Sequence, residues 1–570
     1  MDKQGKQDRR FRKAAVLGAG VMGSGIAAHL AGAGLDVLLL DIVPPDLATA
    51  QNADKKARNR FAQGGVDKLR TSKPSLIFHQ RDLERIRVGN LEDDLAEAAK
   101  ADIVIEAVRE DLNVKQALFA KLEPLLGAQT VLASNTSGLP IGKLMAGRAL
   151  DMRRRFLVTH FFNPVRYMRL LELVSGEDTD PQVMCQIAGF GETQLGKGIV
   201  YGKDTTNFVA NRIGIYGMMG LISEALKAGF TVEEVDAIFG PPLGRPKSAV
   251  FRTADMVGLD TVIDVAQNCY DNLIHDEARQ VFATPDVIRE MVRRGYKGDK
   301  TGKGFYQKTK EGLLVLDLNT LEYRAQQKAR FESLSAGKSL TDVAERIRSV
   351  LSGQDRAAEL AWKATALLFS YSSRRIGPRS EVDGNQNDAP IADDLCQVDR
   401  AMRWGYGWEM GPFEMWDAVG VKASVERMEQ SGIRPAQWVY GMLSAGRSSF
   451  YSGEPGQKHY FDLSAKAEVA VPKSPRELSL AGLSSQGLVI DKNDGARLID
   501  LHDDVYALEF LTKMNSIDAD VIGLLNKAIE ICDVRKKALV ITNEATDSFS
   551  AGANLMLIVM AAMQGNWTML

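Results

Sequence analysis

Residues 14–23 read Ala14-Ala15-Val16-Leu17-Gly18-Ala19-Gly20-Val21-Met22-Gly23, and residues 35–41 read Leu35-Asp36-Val37-Leu38-Leu39-Leu40-Asp41. A short apolar run stops at a glycine, a helical pattern follows, and a second apolar run ends in an acid. That order is strand, glycine-rich turn, helix, strand, the context in which a GxGxxG motif carries meaning; the motif alone is weak. Gly18 permits the tight turn, Gly20 lets backbone approach a pyrophosphate, and Gly23 lets the helix lie close to the strand. The helix N-terminus then faces the negative charge. Asp41 is placed to accept hydrogen bonds from the adenosine ribose hydroxyls and would repel a 2′-phosphate, so NAD is expected rather than NADP. FAD is the rival ligand, because flavoproteins share the fingerprint, and a glycine-rich turn without any ligand is the plainest alternative. The candidate cofactor positions of this stretch are Gly18, Gly20, Val21, Met22, Gly23 and Asp41.

Outward from this unit, residues 101–107 and 130–135 are further apolar runs of strand length, with helical patterns between them. Short apolar strands alternating with helices predict a parallel sheet covered on both faces, here a Rossmann-like α/β domain over residues 1–203. Residues 208–228 are helical in pattern and rich in Ile, Met and Leu, and helical texture with little strand signal continues to about 325. The glycine-rich run 297–306 closes this block, assigned as residues 204–335. A second mostly helical block spans 336–470 and contains a polar insertion at 373–390, expected as a surface loop. The two blocks share a weak likeness: residues 251–260 and 411–421 both set a small or acidic residue before an apolar-Gly-apolar step. That is the mark of an internal duplication; two unrelated helical segments is the competing reading. A polar linker at 470–487 leads to a last segment, 485–570, with strands expected at 496–501, 505–510 and 537–542 and a helix at 519–532.

The chain has 570 residues, 45% hydrophobic and 25% charged, with a formal net charge of -2. Three or four globular domains fit this length, and near-neutral charge gives no reason to expect nucleic acid or a membrane surface as partner. No apolar run is long enough for a membrane span. Arg9-Arg10-Phe11 mimics an export signal, but the glycines after it break the apolar core such a signal needs. Cys185, Cys269, Cys396 and Cys532 stand far apart, and the six histidines form no ligand pair, so no metal site is expected and reduced thiols in the cytoplasm are the default.

The chemistry centres on Thr159-His160-Phe161-Phe162-Asn163-Pro164. Residues 153–159 read as a strand ending at His160, Asn163-Pro164 as a turn, and 170–174 as the returning strand. Such a hairpin sets Glu172 beside His160. A histidine oriented by a carboxylate is suited to remove a hydroxyl proton, since its pKa lies near working pH and the imidazolium is stabilised.

His160-Phe161-Phe162-Asn163-Pro164 with Glu172 resembles the L-3-hydroxyacyl-CoA dehydrogenase family. Ser134-Asn135-Thr136-Ser137 is similar to its substrate-side loop, Glu106-Ala107 through Glu110 and Lys115 to its nicotinamide-ribose loop, residues 203–212 to the start of its helical domain, and residues 298–306 to its closing loop. The resemblance covers most of residues 14–310. It implies that His160 takes the 3-hydroxyl proton, that Glu172 orients it, that Ser137 and Asn211 hydrogen-bond near the reacting oxygen of an acyl-CoA thioester, and that Glu110, Lys115 and Asn135 lie on the NAD side. Thr206-Asn207 departs from the family, which commonly has Pro-Gly there. The plainer readings are Ser137 as a helix cap, Asn211 as a satisfied helix residue, and Lys55, Lys56, Arg58, Lys68 and Lys73 as a solvated face rather than a site for CoA phosphates.

Residues 505–555 resemble the first part of the crotonase (enoyl-CoA hydratase) family: 508–517 are similar to its first strand and turn, and Phe549-Ser550-Ala551-Gly552-Ala553-Asn554-Leu555 to its oxyanion-hole loop. The resemblance implies that the Ala553 N–H polarises a thioester carbonyl. The segment is a partial α/β crotonase-like unit without that family's two catalytic glutamates, so hydratase activity is expected to be absent. Two CoA-handling modules imply a multifunctional fatty-acid oxidation enzyme, with association with other β-oxidation enzymes. In single-unit relatives the helical domain dimerises, so two helical blocks in one chain are expected to form an internal pseudo-dimer. The rival functions are a dehydrogenase of another hydroxy acid and a non-catalytic assembly remnant.

Overall fold

The computed structural model describes residues 9–47, 54–310, 312–377, 390–454, 457–474, 477–544 and 548–565. Two compact units divide it: Met1–Phe450 with Asp462–Lys466, and Tyr451–Phe461 with Ala467–Leu570.

In the first unit, eight strands form one sheet: β1 (Lys13–Leu17), β2 (Asp36–Asp41), β3 (Ile86–Asn90), β4 (Ile103–Glu106), β5 (Val131–Ser134), β6 (Phe156–Phe161), β7 (Leu170–Ser175) and β8 (Gly198–Gly202). Their order is β3-β2-β1-β4-β5-β6-β7-β8. β1 to β6 run parallel, β7 is antiparallel to β6, and β8 follows β7 in parallel. The order of the first six is the dinucleotide-binding one, with its switch between β1 and β4, where the loops diverge and open a crevice at the strand ends.

Both faces of the sheet are covered. Strand alternation sends Val16 to one side and Leu17 to the other. On Val16's side lie α1 (Val21–Gly32), α2 (Arg60–Thr71) and an α-helix at Pro181–Thr193, which contribute Ile26, Leu30, Val66, Leu69, Ile187 and Phe190. On Leu17's side α3 (Leu112–Leu122) contributes Leu118, Phe119 and Leu122. One boundary differs from expectation: Arg153 and Arg154 belong to a short helix, Leu150–Arg154, and the strand begins at Phe156. All six residues of β6 are buried, a place no run of arginines can take; Arg153 pairs instead with Asp178 and Arg155 with Asp151.

The first helical block holds α4 (Ala210–Lys227), α5 (Val232–Ile238), α6 (Phe251–Val257) and α7 (Leu259–Asn272). It ends in a small antiparallel sheet that the helical texture hid, formed by Tyr306–Thr309, Gly312–Leu316 and Tyr323–Ala325. Its strands have three to five residues, too few for an alternating pattern to stand out. The second block holds α8 (Arg356–Ser373), α9 (Leu395–Gly405), α10 (Pro412–Val419) and α11 (Val421–Gln430). Of the polar insertion expected at 373–390, residues 378–389 lie outside the described residues.

The two blocks repeat one local arrangement. Gly258 joins α6 to α7 at φ 98 and ψ 126, and Gly420 joins α10 to α11 at φ 98 and ψ 110. This is backbone that favours glycine. Asp236 accepts the N–H groups of Val250, Phe251 and Arg252 at the start of α6, as Asp399 accepts those of Phe413 and Glu414 at the start of α10. Asp255 takes the Phe305 N–H and Asp417 the Phe450 N–H. The rings of Phe251 and Phe305 lie 4.4 Å apart, and those of Phe413 and Phe450 5.2 Å.

The blocks also meet directly. Tyr216 of α4 stacks on Tyr371 of α8 at 3.7 Å. Beneath them, buried Asp276 accepts from Arg212, Arg375 and the Tyr371 hydroxyl. Burial alone would raise the Asp276 carboxyl, but Arg375 and Arg212 hold it below its ordinary range.

In the second unit a sheet runs β9 (Val489–Lys492), β10 (Ala496–Asp500), β11 (Val505–Phe510), β12 (Ala538–Ile541). β10 and β11 are antiparallel, β11 and β12 parallel. α12 (Ala519–Arg535) covers it with Val521, Leu524 and Ala528. A short helix, Leu480–Ser485, interrupts the expected linker.

His29 of α1 generates a pH prediction. Its Nε2–H donates to the Leu195 carbonyl at 3.0 Å. Burial, then the Lys197 charge, lowers its pKa from 6.5 to about 4. The folded state therefore keeps it neutral while the unfolded chain protonates near 6.5. The stability this contributes is complete above that pH and is lost as pH falls toward 4, by roughly 3 kcal/mol in full. His29→Asn removes the titration, so thermal midpoints of parent and variant should diverge in slope between pH 6.5 and 4; parallel curves would refute it.

Candidate active site

The site opens at the carboxyl ends of β1, β4, β5 and β6. At its nucleotide end Gly18 has φ 107, and a side chain there would meet the Ala107 carbonyl oxygen at 2.4 Å; one on Gly23 would meet the Gly18 carbonyl oxygen at 1.8 Å. At Gly20, the residue before α1, a side chain would meet nothing within 4 Å. Two glycines are thus fixed by tight backbone contact, and the third faces open space where α1 presents its unpaired N–H groups at Val21 and Met22. This fits a pyrophosphate. Asp41, at the end of β2, accepts the N–H of Ala19 at 2.6 Å and of Ile42 at 2.7 Å. It is thereby fixed beside the glycine turn.

Across the switch point lies a second polar cluster. Glu106, fully buried, accepts from Lys115 Nζ at 2.6 Å and from the Ser134 hydroxyl at 2.5 Å. Lys115 also reaches Glu110 at 3.1 Å, and Glu110 accepts from the Thr136 hydroxyl and the Ser137 N–H. Lys115, 1% exposed, is engaged by two carboxylates. Glu110 is the solvent-facing member of the trio. The Asn135 amide oxygen accepts the Phe161 N–H at 2.9 Å, tying this loop to the residue after His160.

The antiparallel register of β6 and β7 sets His160 opposite Glu172. His160 Nδ1 and Glu172 Oε2 are 2.6 Å apart. The other carboxylate oxygen accepts the N–H groups of Ala210 at 2.7 Å and Val209 at 3.2 Å, the first backbone donors of α4. Glu172 is 0% exposed. It is held by one imidazole and by a helix N-terminus whose dipole favours its charge. Phe162 and Phe208 flank the imidazole at 4.6 and 5.7 Å. Nε2 has no protein partner among the described residues.

Ser137 caps no helix: the nearest, Ile141–Leu144, starts after Pro140. Neither the Ser137 hydroxyl nor the Asn211 amide has a protein partner among the described residues. The departure at Thr206-Asn207 has a structural account. Asn207 adopts φ 62 and Phe208 φ 49, so Asn207 takes the left-handed backbone that suits glycine or asparagine. Its amide donates to the Val265 carbonyl and Cys269 Sγ, and accepts from Asn268, fastening α7 to the start of α4. A side chain on Gly138 would meet Asn207 Oδ1 at 2.6 Å, so the loop carrying Ser137 lies against the segment that leads to Asn211. Sequence reasoning named Glu106 only at the start of the stretch that resembles the nicotinamide-ribose loop, and Asn207 only as a departure, and it missed both as supports.

A dinucleotide crevice joined to a buried histidine–carboxylate pair defines a nucleotide-dependent dehydrogenase site. Residues 13–205 match the family model of the 3-hydroxyacyl-CoA dehydrogenase NAD binding domain, and residues 208–308 that of its C-terminal domain. A "Probable 3-hydroxyacyl-CoA dehydrogenase" of Bacillus subtilis is 42% identical over 565 residues, 98% of this chain and 70% of the relative. A protein of Rickettsia prowazekii, named for a fatty acid oxidation complex trifunctional enzyme, is 29% identical over 98% of this chain and 70% of its own length. The crystal structure of 3-hydroxybutyryl-CoA dehydrogenase from Escherichia coli K12 shares the fold at a TM-score of 0.55 and 22% identity, covering 77% of this chain and 100% of that one. The chain belongs to the 3-hydroxyacyl-CoA dehydrogenase family, and its cofactor is NAD.

Gly23→Ala tests the turn. Its methyl group would press on the Gly18 carbonyl, so the turn must shift and NADH binding should weaken by about tenfold or more. Fluorescence titration reads this; unchanged affinity would remove the turn from the cofactor site.

Proposed function

We propose that this enzyme oxidises the 3-hydroxyl of an L-3-hydroxyacyl-CoA to the 3-oxo thioester in fatty-acid β-oxidation. The observation that carries this reading is the buried His160–Glu172 pair, closed at Nδ1 and, among the described residues, unpartnered at Nε2. Nε2 takes the hydroxyl proton. Glu172 keeps Nδ1 protonated and stabilises the imidazolium as it forms. Ser137 and Asn211, whose side chains have no partner among the described residues, hydrogen-bond the reacting oxygen. NAD, when bound, supplies the two-electron acceptor for C3. Gly18, Gly20, Val21, Met22, Gly23 and Asp41 hold its adenosine and pyrophosphate end; Glu110, braced by Lys115, and Asn135 order the nicotinamide end. The protein's share of the work is positioning and electrostatics.

The matched aspartates, aromatic pairs and glycine hinges support an internal duplication, with residues 204–335 and 336–470 as the copies. Their contact through Tyr216 and Tyr371 supports an internal pseudo-dimer. The likeness to a protein named for a trifunctional oxidation complex favours association with other β-oxidation enzymes.

Over residues 485–570 the crotonase resemblance has one structural support. Ile517 brackets Ala553 by bonding Gly552 and Asn554, which leaves the Ala553 N–H without a partner among the described residues. The resemblance matches no residue of the segment to that family's two catalytic glutamates, and the segment is therefore proposed to lack hydratase activity.

His160→Ala should lower turnover of a 3-hydroxyacyl-CoA roughly 10³-fold while NADH affinity stays within twofold; NADH absorbance reads the first and fluorescence the second. Parent-like turnover would end the proposed mechanism. The same preparation should leave the absorbance of a 2-enoyl-CoA unchanged, and steady loss of that signal would overturn the assignment of the last segment.

A further inference from the structure

We propose that Tyr406, from the second helical block, is a positioning residue for the His160–Glu172 pair, seated by the segment 404–406 at the end of α9. The proposal rests on the reading of His160 as the base.

Three glycines on three elements make room for this segment. A side chain on Gly214 of α4 would meet the Tyr406 ring at 2.1 Å and its hydroxyl at 2.3 Å. One on Gly198 of β8 would meet the Trp404 ring at 2.5 Å, and one on Gly405 itself would meet Leu170 of β7 at 2.6 Å and Ala210 at 3.5 Å. The Arg169 guanidinium also lies over the Trp404 ring, 4.5 Å from its centre. A glycine inside a helix is unfavourable relative to alanine. At Gly214 that cost accompanies direct contact between α4 and a tyrosine ring.

The contacts fall on both supports of Glu172. Leu170 precedes Glu172 by two residues on the same face of β7. The Ala210 N–H is the shorter of the two backbone bonds to Glu172. Gly214 lies one helical turn beyond Ala210, on the same face of α4. Segment 404–406 therefore abuts the strand that carries the carboxylate and the helix end that holds it. Burial first, then the nearby Glu172 carboxylate, pushes the Tyr406 hydroxyl up. Elsewhere the same helix bonds β8, where Gln397 Oε1 accepts the Tyr201 N–H; at segment 404–406 the block's part in the reaction is to fix the rear of the pair.

Kinetics on the full chain test this. Tyr406→Ala should lower kcat about tenfold to hundredfold, with KM for NAD and NADH affinity within twofold; Tyr406→Phe, which keeps the ring, should restore most of the loss. Gly214→Ala alone should lower kcat similarly, because its methyl group displaces the ring, yet add no further loss in the Tyr406→Ala background. Parent-like kcat in both single variants overturns the proposal, as does a parallel collapse of kcat and NADH affinity in Tyr406→Ala, or an additive loss in the double variant. His160→Ala run alongside separates the two ideas. If it is inactive while the Tyr406 variants behave as parent, only the positioning role fails; if it turns over normally, the base assignment itself fails.

Discussion

Much of this chain is organised around one buried carboxylate. Glu172 has no water contact, and each of its oxygens is taken: one by His160, the other by the first N–H groups of α4. An ion in such a place is costly unless every acceptor is satisfied. Satisfying it requires that an antiparallel hairpin from the sheet and the first turn of a helix from the next block arrive at one point. The joint between the sheet and the helical block is therefore also where the proposed base sits. Asn207 and Gly138 serve that joint, by bringing the loop of Ser137 against the entry to α4.

Much of this was legible in the sequence because the decisive features are local. The glycine turn, Asp41 and the β6–β7 hairpin each lie within a few dozen residues, where strand alternation and glycine geometry constrain the chain. The parallel order of the sheet followed from its apolar runs. The strand boundary at Phe156 did not, because the arginines before it form an exposed turn of helix that interrupts the pattern without any Gly or Pro to mark it. The Tyr306–Ala325 sheet escaped for a different reason: its short strands are stabilised by Asp255 and by neighbouring helices, partners that periodicity cannot reveal.

Contacts between distant segments were the least legible. Lys115 was expected on the NAD side of the site, and nothing in the sequence showed that Glu106 and Glu110 clamp it. Nothing near residue 172 announces the Ala210 N–H, and nothing near 214 announces Tyr406. A glycine in a helical run has many possible reasons, and only the fold says which one holds. A faint likeness between the two helical blocks was visible around Gly258 and Gly420. The structure gives that likeness physical content in the paired roles of Asp236 and Asp399, and of Asp255 and Asp417.

The stacked Tyr216–Tyr371 contact over Asp276 joins two segments of one polypeptide, so its formation is unimolecular. Covalent linkage replaces bulk protein concentration with an effective local one, commonly in the millimolar range for short connections. The contact therefore persists at dilutions that would separate two independent chains. It is also released from two-fold symmetry: the two faces need not stay alike, and Arg212 and Arg375 reach the same aspartate from unequal positions. On the proposed duplication, each block is thereby free to diverge from the other.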